Sequence, residues 1–143
     1  MPTPKTVKLT QSQFAQIIAH AKSCLPEEAC GLLGGKIEGS TKVVTHIYNV
    51  ENIDHTNEHF SMAPKDQLAA VKKMRAAGEV PLGNWHSHPE TPSRPSDEDK
   101  RLAYDSKASY LILSLMDADS PVLHAFHVEG DVSSRETLII VED

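Results

Sequence analysis

Two segments of the chain repeat apolar residues at the 3.6-residue spacing that is typical of an amphipathic helix. The first covers residues 13–25 and ends before a proline. The second covers residues 65–78, where Pro64 suits a first turn and Gly78 suits a C-terminal stop. A third helix is predicted after Ser96, because a serine followed by acidic and then basic residues matches the charge order of a capped helix.

Runs of β-branched and apolar residues around these segments predict the strands. They are residues 6–10, 29–38, 41–50, 58–62, 80–88, 109–116, 121–129 and 137–142. The order of helices and strands is typical of one mixed β-sheet flanked by helices, so we expect an α/β fold. At 143 residues the chain is long enough for one core, and a single domain over residues 1–143 is expected.

Composition narrows the classes of protein that fit the chain. Hydrophobic residues make up 39% and charged residues 24%, as in globular domains, and the net charge is −6. A binder of nucleic acid or of anionic membranes needs a basic surface, so neither partner is expected. No apolar run approaches the roughly 18 residues of a membrane span, and the N-terminus has no apolar signal segment. We therefore expect a cytoplasmic protein whose two cysteines, Cys24 and Cys30, are free thiols.

The candidate chemistry lies in the stretch GNWHSHPETPSRPSDEDK, residues 83–100. Alternate residues of a strand share a face, so His86 and His88 are predicted to point the same way. The proline-rich turn that follows is stiff, and Asp99 lies one helical turn beyond the expected cap, Ser96, facing back toward the histidines. Two imidazoles and a carboxylate suit zinc with one open position. The same ligands suit non-haem iron, and the two histidines also fit an ordinary, partly exposed strand.

A water molecule on such a metal needs a proton acceptor. The segment LPEEACGLLGG offers two candidates, Glu27 and Glu28, at the start of an apolar strand. Either carboxylate fits a general base, and both also fit a solvated strand start. The residues by themselves leave this choice open.

Together these motifs resemble the signature of the JAMM (MPN+) metalloprotease family. That signature is a glutamate before a Gly-Leu strand, followed by H-[ST]-H-x7-S-x2-D. The chain contains EEACGLLGG, then HSHP, then Ser96 and Asp99 at the matching spacings. The order of the predicted elements also agrees with the family over nearly the whole chain.

The resemblance implies a fold like that of the cytidine deaminases, in a single JAMM/MPN metalloprotease domain. It implies Zn²⁺ as the cofactor, with His86, His88 and Asp99 as its ligands. It also makes Glu28, three residues before the glycine of the strand, the general base, and gives its neighbour no catalytic part. Ser96 would donate a hydrogen bond to the oxyanion of the tetrahedral intermediate, a role that is compatible with capping the helix.

The chain has little room for the two insertions with which eukaryotic deubiquitinating relatives hold ubiquitin, so it resembles the short stand-alone bacterial members. That resemblance implies an isopeptidase-like enzyme that trims the C-terminus of a small ubiquitin-like sulfur carrier of the ThiS/MoaD type. The expected products are a carrier ending in Gly-Gly and a released amino acid or short extension. The alternative is a non-catalytic MPN interaction module with a residual metal site.

A second metal motif is present in HTNEH, residues 55–59, which matches the inverted zinc-protease motif H-x-x-E-H. That motif needs a helix, whereas the surrounding segment is rich in Asn and Asp. We expect it to form a loop and a short strand that line the substrate groove. A deaminase is disfavoured because the P-C-x-x-C ligand segment is missing. An iron oxygenase that uses the same two histidines is a further alternative, which metal analysis would decide.

Overall fold

The computed structural model describes residues 6–143 as a mixed β-sheet with helices packed on its faces. Residues 1–5, part of the N-terminal stretch on which the expected cytoplasmic location rests, lie outside this range. In chain order the elements are β1 (Thr6–Thr10), α1 (Gln11–Cys24), β2 (Cys30–Glu38), β3 (Thr41–Val50), α2 (Pro64–Ala76), β4 (Val80–His88), α3 (Asp97–Leu102), β5 (Ser109–Ser114), β6 (Val122–Glu129) and β7 (Val132–Val141). None of the helices within residues 6–143 has the length and apolar character that a membrane crossing requires.

The seven strands lie in the order β1-β3-β2-β4-β5-β6-β7, and β7 pairs with β1, so the sheet closes on itself. β4 runs antiparallel to β2 on one side and parallel to β5 on the other. The predicted α/β class is confirmed, and closure is a feature that the expected flanked sheet did not include. Because every described strand has two partners, β4 ends inside a paired sheet and not at a free edge.

The helices begin and end where their capping residues allow. Thr10 starts α1 with a capping box, in which its hydroxyl accepts the N–H of Gln13 while its own N–H donates to the Gln13 side chain. Pro64 is the first residue of α2, and Gly78, with a φ of 73°, follows the end of that helix. Ser96 caps α3. The three predicted helices are therefore confirmed, although α1 and α2 begin and end one or two residues away from the predicted positions.

The two faces of the sheet differ in what they bury. One face packs against α1 and forms the main core, in which Ile17, Trp85 and Leu111 have no exposed surface. Full burial of an aliphatic side chain such as Ile17 or Leu111 contributes about 1.5–3 kcal/mol. Alternate residues of β4 face opposite ways, so the same strand turns His86 and His88 to the other face. β4 therefore contributes residues to both the main core and the candidate site.

The segment 51–63 differs from its prediction. Residues 58–62, expected as a short strand, form a loop together with the rest of this segment. A side chain satisfies part of its backbone, because Asn52 Oδ1 accepts the N–H groups of Asp54 and Ser61, each at 3.1 Å. The loop therefore keeps its shape without a neighbouring strand.

Gly83 lies where β4 and β5 approach closely. A Cβ added at this glycine would lie 1.9 Å from the carbonyl oxygen of Ser109. Because the backbone of a paired strand cannot easily move aside, we expect Gly83→Ala to lower the free energy of unfolding by about 3 kcal/mol. Gly39, with a φ of 62° and open space around it, is the control position, and Gly39→Asn should cost less than about 1 kcal/mol. Denaturant titration measures both values, and equal losses would contradict the described packing of β4 on β5.

Candidate metal centre and active site

The end of β4 brings the two predicted histidines together. Both are buried, with exposed fractions of 2% for His86 and 5% for His88. Their Nε2 atoms lie 3.2 Å apart, on the shared face that strand alternation predicts. Asp99 Oδ2 lies 3.1 Å from His86 Nε2 and 3.0 Å from His88 Nε2. The three candidate ligand atoms therefore converge on one small volume.

The proline-rich turn after β4 fixes the orientation of His88. Its Nδ1 lies 2.9 Å from the carbonyl oxygen of Pro92 and can donate to it only as N–H, so in the neutral ring the lone pair is on Nε2. The turn is itself held against β5, because Ser93 Oγ donates to the Ile112 carbonyl at 2.6 Å. The stiff turn therefore does more than aim the carboxylate: it supplies the acceptor that selects the imidazole tautomer.

A reciprocal capping box holds Asp99. Ser96 Oγ accepts the Asp99 N–H at 3.0 Å, and the Ser96 N–H donates to Asp99 Oδ2 at 2.9 Å. The first turn of α3 thus positions the carboxylate that faces the histidines. The spacing of serine and aspartate in the sequence predicts this arrangement.

The charges of the cluster favour an ionised carboxylate. Burial alone would raise the pKa of Asp99, but its hydrogen bonds with His86 and His88 hold that pKa well below the usual range. Burial would likewise lower the pKa of His88, but the protonated ring can donate to both Asp99 and the Pro92 carbonyl, and these hydrogen bonds raise that pKa. The site therefore pairs two imidazoles with a carboxylate anion.

Glu28 lies beside this cluster and is only 3% exposed. Its Oε1 has no hydrogen-bond partner among residues 6–143. Burial raises the pKa of Glu28 to about 8, a shift that His88 opposes and Asp99 increases. A buried carboxyl oxygen without a partner destabilises a fold, so its presence next to candidate ligands indicates a functional position.

The serine between the two histidines holds the segment that carries Glu28. Ser87 is fully buried and faces away from the candidate ligands, and its Oγ accepts the N–H of Ala29 at 2.8 Å. On the other side, Asn52 Nδ2 donates to the Glu28 carbonyl at 3.0 Å. Neither contact follows from sequence periodicity. The hydroxyl residue within H-[ST]-H is the signal that indicates the first, and nothing local indicates the second.

Glu27 and the rival H-x-x-E-H motif lie outside this centre. Glu27 Oε1 is 3.0 Å from Nδ1 of His55, an exposed loop residue. His59 Nδ1 lies 2.9 Å from Asp54, so the two histidines of the motif have separate carboxylate partners and no helix joins them. Within residues 6–143, the only group of three metal-ligating side chains that converge is the cluster at β4 and α3.

The loop 51–63 covers one side of the centre. Phe60 stacks on the His86 ring, with the ring centroids 4.7 Å apart and the planes at 25°. His59, Phe60 and Leu102 also line a cavity of about 50 Å³ next to His86. The segment therefore contributes to a cavity at the candidate site although it is a loop throughout, and its place in a substrate groove stays a prediction.

The side chains present fit a bound metal ion. In a tetrahedral zinc site with bonds of about 2.0–2.1 Å, ligand atoms lie about 3.3 Å apart. The three atoms here are separated by 3.0–3.2 Å. Three protein ligands leave one position open, which is the arrangement of catalytic and not of structural zinc.

A comparison with protein families shows to which family the chain belongs. The family model for prokaryotic homologs of the JAB domain matches residues 10–128. The chain belongs to this JAB family. The resemblance to the JAMM/MPN proteins, first indicated by the signature residues, is thereby confirmed.

Curated relatives of this JAB protein include two with named activities. The CysO-cysteine peptidase of Mycobacterium tuberculosis is 32% identical over 126 residues, which cover 88% of this chain and 85% of the relative. The desampylase of Haloferax volcanii is 27% identical over 117 residues, which cover 78% of this chain and 83% of the relative. Each similarity spans most of both proteins and not a shared fragment.

Solved structures show the same fold. A protein from Desulfitobacterium hafniense is 50% identical and superposes with a TM-score of 0.90, covering 96% of this JAB chain and 94% of its own. A JAB1/MPN domain protein from Archaeoglobus fulgidus is 24% identical with a TM-score of 0.63, covering 94% of this chain and 99% of its own. The second likeness supports the fold alone.

In metal-free protein, the pKa of Glu28 predicts a loss of stability as the pH rises. The folded pKa of about 8 lies above the ordinary value of 4.5, so between these values the folded JAB chain keeps a proton that the unfolded chain has released. The stability that this group contributes is complete below the lower value and falls by up to about 1.4 kcal/mol per pH unit toward the upper one. Glu28→Gln does not titrate, so its stability relative to wild type should increase between about pH 5 and pH 8.

Denaturant unfolding in the presence of a chelator, repeated across this pH range, measures that difference. Glu27→Gln, on the partly exposed neighbour, is the matched control and should follow wild type. If the difference in unfolding free energy between Glu28→Gln and wild type stays constant with pH, Glu28 does not have the raised pKa.

Proposed function

We propose that the chain is a zinc-dependent metallopeptidase, a hydrolase of peptide or isopeptide bonds, with residues 1–143 forming a single JAMM/MPN metalloprotease domain. The observation that carries the proposal is the convergence of His86, His88 and Asp99 beside the buried, unpaired carboxyl of Glu28. A metallopeptidase needs a cation site with an open position and a proton acceptor in the same place. The end of β4 offers both.

His86, His88 and Asp99 would hold the zinc ion. Bound zinc would polarise the scissile carbonyl and make a water molecule more acidic. Glu28 would accept a proton from the attacking water at its unpaired Oε1 and deliver it to the leaving nitrogen, so that hydrolysis yields a carboxylate and an amine. A neighbouring divalent cation also favours the ionised form of Glu28, which is the form that a base requires, against the effect of burial.

Ser96 is proposed to stabilise the oxyanion that develops on the scissile carbonyl. Its Oγ accepts the N–H of Asp99, and a hydroxyl can accept one hydrogen bond while donating another. Capping α3 and contacting the oxyanion are therefore compatible roles. The position of Ser96 at the exposed start of α3, directly before the ligand-bearing turn, supports the second role.

The proposed substrate class comes from the relatives, of which one is named a CysO-cysteine peptidase and another a desampylase. We infer that this chain acts in the cytoplasm on the C-terminus of a small ubiquitin-like sulfur carrier of the ThiS/MoaD type. Cleavage after Gly-Gly would release an amino acid or a short extension. Glycines at the scissile end suit a buried centre, because their backbone can approach closely without a side chain in the way.

Two depressions adjoining the site support binding of an extended tail. The cavity beneath Phe60 adjoins His86, and a surface groove lined by Glu27 and Glu51 adjoins Glu28. We infer that an extended tail would lie in these depressions. The acidic groove suits a carrier with basic residues beside its tail.

One zinc ion per chain is expected in protein purified without added metal. Replacing His86, His88 or Asp99 by alanine should remove it, because two ligands are too few for a catalytic zinc site. His59→Ala takes away an imidazole beside the cluster and should keep full zinc. Elemental analysis checks all four variants, and iron in place of zinc, or full zinc in His88→Ala, would contradict the proposed centre.

Glu28→Gln should keep the fold and the zinc but lower turnover by about 10²–10⁴-fold, as expected for a general base. Glu27→Gln is the matched control and should keep a turnover number close to wild type, since its carboxylate faces His55 at the surface; its place in the groove affects only KM. Steady-state kinetics of both variants makes the comparison. If Glu27→Gln loses activity and Glu28→Gln keeps it, the general base is Glu27. Full activity in both variants would refute the mechanism.

Sulfur carriers bearing a C-terminal extension after Gly-Gly should be trimmed, whereas folded proteins without such a tail should be poor substrates. The physical reason is that only a flexible, glycine-rich end can reach the buried centre. Mass spectrometry of candidate carriers incubated with wild type, and with Glu28→Gln as the inactive control, detects the loss of the extension. If unrelated unstructured peptides are cut as fast as every tailed carrier, the enzyme is a general peptidase.

A further inference from the structure

Two buried polar atoms on the site face of β4 lack hydrogen-bond partners among the described residues. They are His86 Nδ1 and Asn84 Oδ1. Residues two apart on a strand share a face, so the two side chains are neighbours. His86 Nε2 faces His88 and Asp99, and a neutral ring that presents its Nε2 lone pair to a metal carries its proton on Nδ1. His86 Nδ1 is thus a donor without an acceptor, and Asn84 Oδ1 is an acceptor without a donor.

The two side chains also line the same cavity of about 50 Å³. A buried water molecule needs about 10–15 Å³ of such space and two to four polar partners. Two strand steps span about 6.6 Å, and one water with two hydrogen bonds of about 2.8 Å covers most of that distance. Direct contact or a single bridging water can therefore join the pair.

Two other polar side chains around this cavity, Tyr110 and His59, make hydrogen bonds or ion pairs elsewhere. The Tyr110 hydroxyl donates to the Asp105 carbonyl at 3.0 Å and accepts the N–H of the same residue at 3.3 Å. His59 Nδ1 lies 2.9 Å from Asp54. Phe60 covers a face of the His86 ring and offers no acceptor at its edge. Asn84 is the lining residue with a buried acceptor still to be satisfied.

We propose that Asn84 is a positioning residue of the metal centre, whose amide oxygen accepts the Nδ1–H of His86 directly or through one water in this cavity. Asn84 then does for His86 what the Pro92 carbonyl does for His88: it selects the tautomer in which Nε2 faces the metal. The inference rests on the proposed zinc site. It assigns a role to a residue that no signature motif includes.

Zinc titration against a competing chelator tests the proposal in the full chain. Asn84→Leu removes the acceptor at similar volume and should weaken zinc binding by about 10–100-fold, the usual effect of losing a partner of a metal-bound histidine. Asn84→Asp keeps an acceptor oxygen and should bind zinc as tightly as wild type or more tightly. Tyr110→Phe is the matched control, since it removes a hydroxyl from the same cavity and should leave the affinity unchanged.

A spectroscopic readout separates positioning from general loss of structure. In zinc-loaded, ¹⁵N-histidine-labelled protein, the Nδ1–H of His86 should give a slowly exchanging NMR signal in wild type and Asn84→Asp, and this signal should disappear in Asn84→Leu. If Asn84→Leu does not fold, Asn84→Val provides the same comparison.

Wild-type zinc affinity and an unchanged Nδ1–H signal in Asn84→Leu would overturn the inference while leaving the zinc site intact. The inference would also be overturned if Asn84→Leu raised only the KM for the substrate, because Asn84 would then contact the substrate and not His86. Failure of wild type itself to bind zinc would instead refute the proposed function.

Discussion

The cluster of His86, His88 and Asp99 places polar groups out of water, where they need neighbouring groups that satisfy and orient them. Burying such groups without partners costs several kcal/mol. The Pro92 carbonyl oxygen accepts a hydrogen bond from His88 Nδ1, and the Ser96 N–H donates one to Asp99 Oδ2. Both partners are backbone groups of a proline-rich turn and a helix cap, so these two candidate ligands are held in place by the fold and not by mobile side chains.

β4 connects this cluster to the rest of the molecule. Its alternating residues put Trp85 into the main core, turn the two histidines toward the site, and let Ser87 bind the backbone beside Glu28. The stability of the fold, the geometry of the ligands and the position of the candidate base therefore depend on the same nine-residue strand. A shift of its register by one residue would exchange the two faces and dismantle all three.

Features that depend on local periodicity were predictable from the sequence. The shared face of the two histidines follows from strand alternation, and the Ser96–Asp99 contact follows from cap spacing. The loop 51–63 was not predictable, because Asn52 shapes it through contacts that include the distant Glu28 carbonyl. Closure of the sheet depends on pairing between β1 and β7, the two ends of the described chain, and no local pattern encodes it. Residues alone did not decide between Glu27 and Glu28, whereas the family signature chose Glu28, the buried one of the two.

X-ray absorption at the zinc edge of the zinc-loaded protein tests the central claim that His86, His88 and Asp99 form a preorganised cation site. The predicted spectrum contains four nitrogen or oxygen neighbours at about 2.0–2.1 Å and the multiple-scattering pattern of two imidazoles. A sulfur neighbour at about 2.3 Å would place the metal on Cys24 or Cys30. That result, or the pattern of a single imidazole, would contradict the claim.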